Sequence, residues 1–223
     1  MKRLAIVLIA ALCTACACNF QVVPDCDRGC TEEKDVTVLL DLNVAVANHG
    51  GTAICGGTLV KHRGVVKVLT AGHCVDDGLG QPKEMMDYFN GSKRIACNVV
   101  KFDRLNDLAL LDPEVEQKDD CAVVSRANVQ PGDDIWVVGN GAGIDDIMSR
   151  GIVAAVDRDN HSGVNNNIID CTAWYGNSGG GVYNEDLELV GVLIQFGPQF
   201  GGHGPETGFM YVVSQSQIRS FLR

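Results

Sequence analysis

From residue 36 onward, the chain alternates short apolar runs with polar turns. The runs are rich in Val, Ile and Leu, and Gly, Asn or Asp separates each run from the next. This pattern is typical of antiparallel strands in a sandwich or barrel. A first set covers residues 36–46, 52–60, 65–70, 95–100 and 108–111, and a second covers 134–139, 151–156, 167–173, 181–183, 187–194 and 208–213. The sequence therefore predicts an all-β protein.

Two six-stranded antiparallel β-barrels are the simplest division of these runs. We expect the first barrel in residues 36–125 and the second in 126–223, joined by a linker near 122–129. A ligand or substrate would then lie in the cleft between the barrels. Apolar residues at positions 218, 221 and 222 predict a short C-terminal helix docked on the second barrel.

The first 17 residues have the pattern of a signal peptide. Two basic residues precede an apolar run and a stretch of small residues. The pattern predicts a secreted or periplasmic protein whose mature chain begins at Cys18. A lipoprotein signal with acylation at Cys16 or Cys18 is the alternative, although neither has the usual large aliphatic residue three positions earlier. Such an anchor is the only membrane association we expect.

Charge and cysteine content narrow the function classes further. The formal net charge is −10, and an acidic chain without basic runs is repelled by nucleic acid. Cysteines in an exported protein favour disulfides over metal sites, so we expect neither metal nor cofactor. Segment 18–35 holds three cysteines whose pairing stays open: Cys26 and Cys30 form either a small loop bridge or two separate bridges to the barrel, and the partner of Cys18 is not predicted. Cys97 and Cys121, which flank the run at 108–111, are a candidate pair.

Three motifs carry candidate chemistry. They are Leu-Thr-Ala-Gly-His-Cys at 69–74, Asn-Asp-Leu-Ala-Leu-Leu at 106–111 and Gly-Asn-Ser-Gly-Gly at 176–180. They supply His73, Asp107 and Ser178. A serine hydroxyl becomes an effective nucleophile when an imidazole takes its proton and a carboxylate orients that imidazole. The three motifs are far apart in sequence, so only a folded domain could bring them together.

From about residue 36 to the C-terminus, the chain resembles the trypsin-like (chymotrypsin-clan) serine endopeptidases. Residues 131–139, 149–153 and Asp170 are similar to the bacterial Deg-type branch, which also uses Gly-Asn-Ser-Gly-Gly. No C-terminal peptide-binding domain is expected here. The resemblance implies an endopeptidase that acts on proteins or peptides through an acyl-enzyme. We expect the protein to be a monomer.

The resemblance also assigns roles to individual residues. His73 would be the general base, Asp107 its partner and Ser178 the nucleophile, with the N–H groups of Gly176 and Ser178 forming an oxyanion hole. Cys55, in a strand-like motif before the histidine, would form a disulfide with Cys74.

The specificity pocket departs from that of the digestive trypsin-like enzymes. Thr172 would lie at the pocket base, with Gly197 and Gly208 on its walls, so the buried anion that selects Arg or Lys is missing. We expect uncharged, apolar or aromatic residues before the scissile bond. The residue before the serine is Asn177, which cannot form an ion pair with a newly cut N-terminus, so activation by N-terminal cleavage is not expected. The edge around Phe196 should pair with substrate as an added strand.

Two other functions are compatible with parts of the sequence. Gly-x-Ser-x-Gly also occurs in α/β-hydrolase esterases, but there a helix follows the serine and the order is Ser, acid, His. Here a glycine-rich turn and an apolar strand follow Ser178, and the downstream His203 lies among glycines. The second alternative is a protease-like fold kept as a binding module. An intact His, Asp and Ser set argues against it.

Overall fold

The computed structural model describes residues 34–115, 120–160, 163–196 and 208–223 of the 223-residue chain. The predicted signal peptide, the cysteines of segment 18–35, Gly197 and His203 lie outside the described residues. Their expected roles stay predictions. No helix in the part of the chain that the structure describes is long and apolar enough to cross a membrane.

Six antiparallel strands close the first barrel. They are β1 (Asn43–Asn48), β2 (Ala53–His62), β3 (Val65–Ala71), β4 (Met85–Asn90), β5 (Lys93–Asp103) and β6 (Leu108–Pro113), and the order around the barrel is β1-β2-β3-β6-β5-β4. Large side chains such as Leu69, Tyr88 and Leu110 are fully buried in its core. Burial of each aliphatic side chain of this kind contributes about 1.5–3 kcal/mol, which makes the core the main source of stability.

The second barrel repeats this arrangement. Its strands are β7 (Asp134–Gly139), β8 (Ile147–Asp159), β9 (Asn165–Asp170), β10 (Gly181–Tyr183), β11 (Leu189–Phe196) and β12 (Phe209–Ser214), in the order β10-β11-β12-β9-β8-β7. Helix α1 (Gln215–Phe221) follows β12 directly. The prediction of two six-stranded barrels with a short terminal helix is confirmed.

The first predicted strand is partly wrong. Residues Val36–Leu42 form a 3-10 helix, and β1 begins only at Asn43. Asp35 caps this helix, since its Oδ1 accepts hydrogen bonds from the Thr37 N–H at 3.0 Å and the Thr37 hydroxyl at 2.6 Å. The cap overrides the strand propensity of the valines that follow, and Leu39 anchors the turn in the core with no exposed surface.

Strand β4 was not predicted, because a charged residue interrupts its apolar run. Asp87 is only 1% exposed, yet its carboxylate accepts hydrogen bonds from the Gly50 N–H at 2.8 Å and from Arg94 at 3.3 Å, and it lies 2.9 Å from His49 Nδ1. Burial alone would raise the pKa of Asp87, but these hydrogen bonds and charges outweigh it and lower the pKa. Asp87 thus interrupts the apolar pattern of β4 and also connects the turn between β1 and β2 to strands β4 and β5.

The predicted Cys97–Cys121 pair is also wrong. Cys97 is a buried thiol in β5 that donates to the Met86 carbonyl at 3.3 Å. Cys121 follows the first barrel, and the next residue, Ala122, donates its N–H to Leu59 of β2 at 2.8 Å. Strand β2 is separated from β5 by β3 and β6. Both cysteines are close to β6 in sequence, but Cys97 lies in β5 and Cys121 lies next to β2, so the two sulfurs do not meet.

Helix α1 reaches farther than predicted. It extends the second barrel, but its buried Ile218 and Phe221 belong to the same apolar cluster as the core of the first barrel. The Lys101 ammonium of β5 lies 5.0 Å from the centre of the Phe221 ring, and Leu222 accepts a hydrogen bond from His62 Nδ1 of β2 at 2.9 Å. The helix therefore links the two barrels.

Candidate active site

His73 lies at the end of β3, in a 3-10 turn formed by Gly72–Cys74. The next residue, Cys74, is bonded to Cys55 of β2, with 6.2 Å between their Cα atoms. The expected pairing of these two cysteines is therefore present. The disulfide fixes the turn that carries His73 to the neighbouring strand.

Asp107 contacts the His73 turn through both carboxylate oxygens and its backbone. His73 Nδ1 donates to Asp107 Oδ2 at 2.8 Å, and the His73 N–H donates to Asp107 Oδ1 at 2.7 Å. The Gly72 N–H donates to the Asp107 carbonyl at 2.9 Å. These bonds fix the ring orientation and use Nδ1, so Nε2 is the ring nitrogen left to meet a hydroxyl.

Ser178 lies in the loop between β9 and β10, and this loop is docked on the first barrel. Its carbonyl accepts a hydrogen bond from the Gly56 N–H of β2 at 2.7 Å. Gly179 has a φ of +87°, and a Cβ there would lie 2.2 Å from the Gly56 carbonyl and 2.3 Å from Thr70 Oγ1. Only glycine permits this approach. The contact brings the Ser178 loop against strand β3, three residues before His73.

The backbone N–H groups of Gly176 and Ser178 have no acceptor among the described residues. Gly176 has a φ of +101°, and a Cβ there would lie 2.4 Å from the Asn140 carbonyl. The Tyr175 carbonyl is turned away toward the Ala142 N–H, from which it accepts at 2.7 Å. Among the described residues, neither the Gly176 nor the Ser178 N–H donates to a protein acceptor. Both remain available to a ligand.

Asn177 points into the second barrel. It is 3% exposed, and a Cβ on Gly141 would lie only 2.4 Å from its Oδ1. The amide is therefore held by close packing against the 139–141 backbone, in the position where the digestive relatives have an aspartate.

Two cavities adjoin the candidate site residues. A cavity of about 470 Å³ adjoins His73 and Asp107 and is bordered by Phe102, Arg104 and Leu105 from the first barrel and by Asn160, Ile194 and Gln195 from the second. A cavity of about 240 Å³ contacts Cys55 on one side and Trp174, Tyr175 and Gly176 on the other. Residues from both barrels line each cavity, so both cavities lie where the two barrels meet.

The roles expected of Thr172, Gly197 and Gly208 in a specificity pocket stay predictions. Thr172 and Gly208 lie near each other, because the Cys171 N–H donates to the Gly208 carbonyl at 3.0 Å. A Cβ on Gly208 would lie 2.9 Å from Asp170 Oδ1, so a carboxylate lies next to Gly208. Sequence reasoning also missed an aromatic contact: the Tyr175 and Phe196 rings meet edge to face at 5.0 Å. Tyr175 lies in the glycine-flanked loop, where no periodic pattern signals such a contact.

The described residues hold one group whose atoms are close enough to bind a metal ion. It consists of Cys55, His73 and Cys74. The two sulfurs are bonded to each other in the disulfide, so they are not thiolate ligands. This group therefore does not have the chemistry of a metal site.

Two closed barrels with a bonded His–Asp pair on one and a docked serine loop on the other define the two-barrel serine peptidase class. The model of the trypsin-like peptidase domain family matches residues 55–192. The chain belongs to the trypsin-like peptidase family.

The relatives found by sequence are Deg-type proteases. A probable periplasmic serine endoprotease, DegP-like, from Rhizobium meliloti (strain 1021) is 30% identical over 70% of this chain and 31% of its own length. A serine protease, HtrA-like, from Staphylococcus epidermidis (strain RP62A) is 28% identical over 66% of this chain and 27% of its own length. The chain thus spans about a third or less of these relatives.

Solved structures share the fold at lower identity. An inactive form of the protease Rv3671c has a TM-score of 0.66 at 16% identity, covering 84% of this chain and 90% of that one. The serine endoprotease from Yersinia pestis has a TM-score of 0.65 at 20% identity, covering 84% of this chain and 65% of that one. These similarities establish the two-barrel fold independently of the sequence motifs.

Proposed function

We propose that the protein is an exported serine endopeptidase in which His73, Asp107 and Ser178 form the catalytic triad. The observation that carries this proposal is the double attachment of His73 to Asp107, at 2.7 and 2.8 Å, beside the docked Ser178 loop. A carboxylate that fixes both the backbone and the ring of a histidine holds one tautomer and stabilises the imidazolium that forms during reaction.

The reaction proceeds in two steps, acylation of Ser178 and hydrolysis of the acyl-enzyme. Ser178 Oγ attacks the scissile carbonyl while His73 Nε2 takes the hydroxyl proton, and the carbonyl electrons move onto oxygen. The tetrahedral intermediate collapses, the C–N bond breaks and His73 returns the proton to the leaving amine. A water molecule then attacks the acyl-enzyme in the same way, which releases the acid and restores Ser178.

The N–H groups of Gly176 and Ser178 would stabilise the oxyanion. Two observations support this role. Neither N–H donates to a protein acceptor among the described residues, and the Tyr175 carbonyl accepts from the Ala142 N–H instead. One such donor typically contributes about 3–4 kcal/mol to transition-state stabilisation. The side-chain amide of Asn177 is held by packing against the 139–141 backbone. Because no ion pair holds it, the Gly176 and Ser178 N–H groups need no new N-terminal ammonium to be placed. We infer that the folded enzyme is active without N-terminal cleavage.

The substrate would be a peptide bound as an extended strand along the edge near Phe196. Support for an apolar residue before the scissile bond comes from the aromatic Tyr175 and Phe196 side chains and from the uncharged Thr172. Export to the periplasm or beyond is supported by the signal-like residues 1–17 and by the periplasmic relatives, with a mature chain beginning at Cys18.

A fluorophosphonate probe tests this proposal directly. The purified mature protein should be labelled, peptide mapping should find the label on Ser178, and hydrolysis of a casein substrate should stop in proportion to labelling. The Ser178→Ala variant is the control and should not react. Absence of labelling in a folded protein, or a label on another residue, would rule out the serine mechanism.

A further inference from the structure

The backbone of Asp107 has an uncommon conformation. Its φ is +54°, in the left-handed region, where a residue with a side chain is normally disfavoured by about 1–2 kcal/mol. Such conformations persist where surrounding contacts hold them. The contacts that hold this turn therefore fix the carboxylate that orients His73.

The residue before Asp107 is held from within the turn. The Asn106 N–H donates to Asp103 Oδ1 at 3.0 Å, and Asn106 Nδ2 donates to Asp103 Oδ2 at 2.6 Å. Together these bonds set the direction of the Asn106 side chain. Its remaining oxygen, Oδ1, is free to accept from outside the turn.

That acceptor is used by a residue 111 positions away. Gln217 Nε2, in the first turn of α1, donates to Asn106 Oδ1 at 3.2 Å. The other end of the same amide completes the helix cap, because Gln217 Oε1 accepts from the Ser214 N–H at 2.9 Å and the Ser214 hydroxyl at 2.7 Å. Rotating the Gln217 amide would break the cap, so the cap keeps Nε2 directed at Asn106.

Helix α1 is a firm base for this contact. Its Ile218 and Phe221 are buried, and the Lys101 ammonium donates to the Phe221 carbonyl. The side of α1 that carries Gln217 is thus fixed against the strand leading into the 103–107 turn.

We propose that Gln217 is a positioning residue for Asp107, acting through Asn106. It fixes the acid-bearing turn of the first barrel to the helix that ends the second barrel, and so holds Asp107 and His73 in register with the Ser178 loop. Its catalytic value depends on the proposed peptidase function, whereas its effect on the Asp107–His73 bond does not.

Variants of Gln217 distinguish a positioning role from a role in capping the helix alone. Gln217→Glu keeps an acceptor for Ser214 but removes the donor to Asn106. Gln217→Lys keeps a donor able to reach Asn106 but removes the acceptor for Ser214. A third variant, Ser216→Ala, removes the 2.8 Å contact between Ser216 Oγ and Ser214 Oγ without touching Asn106. A cap role alone makes Gln217→Glu harmless and Gln217→Lys damaging, whereas a positioning role makes Gln217→Glu damaging.

Two measurements separate the outcomes. We expect Gln217→Glu to lower kcat about three- to tenfold per titrated active site with KM within about twofold, because small misplacements of catalytic groups reduce turnover. Ser216→Ala should stay within about twofold of the unaltered protein. The second measurement is proton NMR of the His73 ring hydrogen shared with Asp107, which should exchange faster with water in Gln217→Glu but not in Ser216→Ala.

The proposal would be overturned if Gln217→Glu kept the kcat and the proton exchange rate of the unaltered protein. Equal losses in Ser216→Ala would overturn it as well. If Gln217→Glu does not fold, Asn106→Ala removes the same bond from the other side, together with the bond from Asn106 Nδ2 to Asp103 Oδ2. It should reproduce both effects to at least the same extent, and unchanged behaviour there also overturns the proposal. If the unaltered protein cleaves no peptide but the exchange pattern is as described, the proposed function fails and the positioning role stands.

Discussion

Gly56 of the first barrel donates its backbone N–H to the backbone carbonyl of Ser178 on the second barrel, at 2.7 Å. The bond joins the strand that carries Cys55 to the loop that carries the candidate nucleophile. It uses no side-chain atom of Ser178, so the loop and the hydroxyl can be tested separately.

We predict that Ser178→Ala abolishes peptide hydrolysis and leaves the fold intact, because the docking bond of the loop is made by the backbone. His73→Ala should lose a similar amount of activity, and the double variant should be little worse than either, since triad members act as a unit. Hydrolysis rates and thermal melting of the three variants check this. Hydrolysis by rigorously purified Ser178→Ala would mean that another group is the nucleophile.

The Gly176 N–H is tested by adding a methyl group. Gly176→Ala should reduce kcat by about 10²–10³, the usual loss for one oxyanion donor, because its Cβ would lie 2.4 Å from the Asn140 carbonyl and must displace the peptide. Gly132 has a similar φ of +98° but open space around its Cβ position, so Gly132→Ala is a matched control for backbone strain. Equal kinetic effects from both variants would show that strain alone, rather than the N–H position, is responsible.

The disulfide next to His73 should stabilise the fold. Loss of Cys55 or Cys74 should lower the free energy of unfolding by about 2–5 kcal/mol, the usual loss for a native bridge in a small secreted domain. The bridge spans 19 residues and joins β2 to the His73 turn. Denaturant unfolding of Cys55→Ala measures the loss, and non-reducing peptide mapping checks the pairing. Two free thiols at these positions in exported protein would contradict the structure.

Cys97 and Cys171 should be inert thiols. Burial raises the pKa of each to about 12, so neither forms a thiolate at physiological pH. Iodoacetamide at pH 8 should leave both unmodified in the native protein and alkylate both after denaturation. Mass spectrometry of peptides from the two reactions gives the answer, and rapid native alkylation of Cys97 would contradict its placement in the core.

Local patterns predicted the parts of this molecule that depend on neighbouring residues. Alternating runs predicted most strands, and the motifs around His73 and Asp107 predicted a pair that the structure brings to 2.8 Å. Strand β4 was missed because Asp87 is buried by partners that lie far away in sequence. The Gln217–Asn106 bond had no sequence signal either, because it depends on how α1 crosses between the barrels, which no local pattern encodes.

Cleavage should not require a basic residue, and activity should appear without a new N-terminus near residue 36. Thr172, the predicted pocket base, is uncharged, and the buried Asn177 amide cannot form an ion pair with an ammonium group. A peptide-library digest and N-terminal sequencing of the active protein test the two halves independently. Strict cleavage after Arg or Lys would implicate Asp170, whose carboxylate lies next to Gly208; Asp170→Asn should then abolish that preference, and unchanged preference would exclude Asp170 as its source. An active form that begins at a freshly cut Val36 would contradict the inferred role of Asn177.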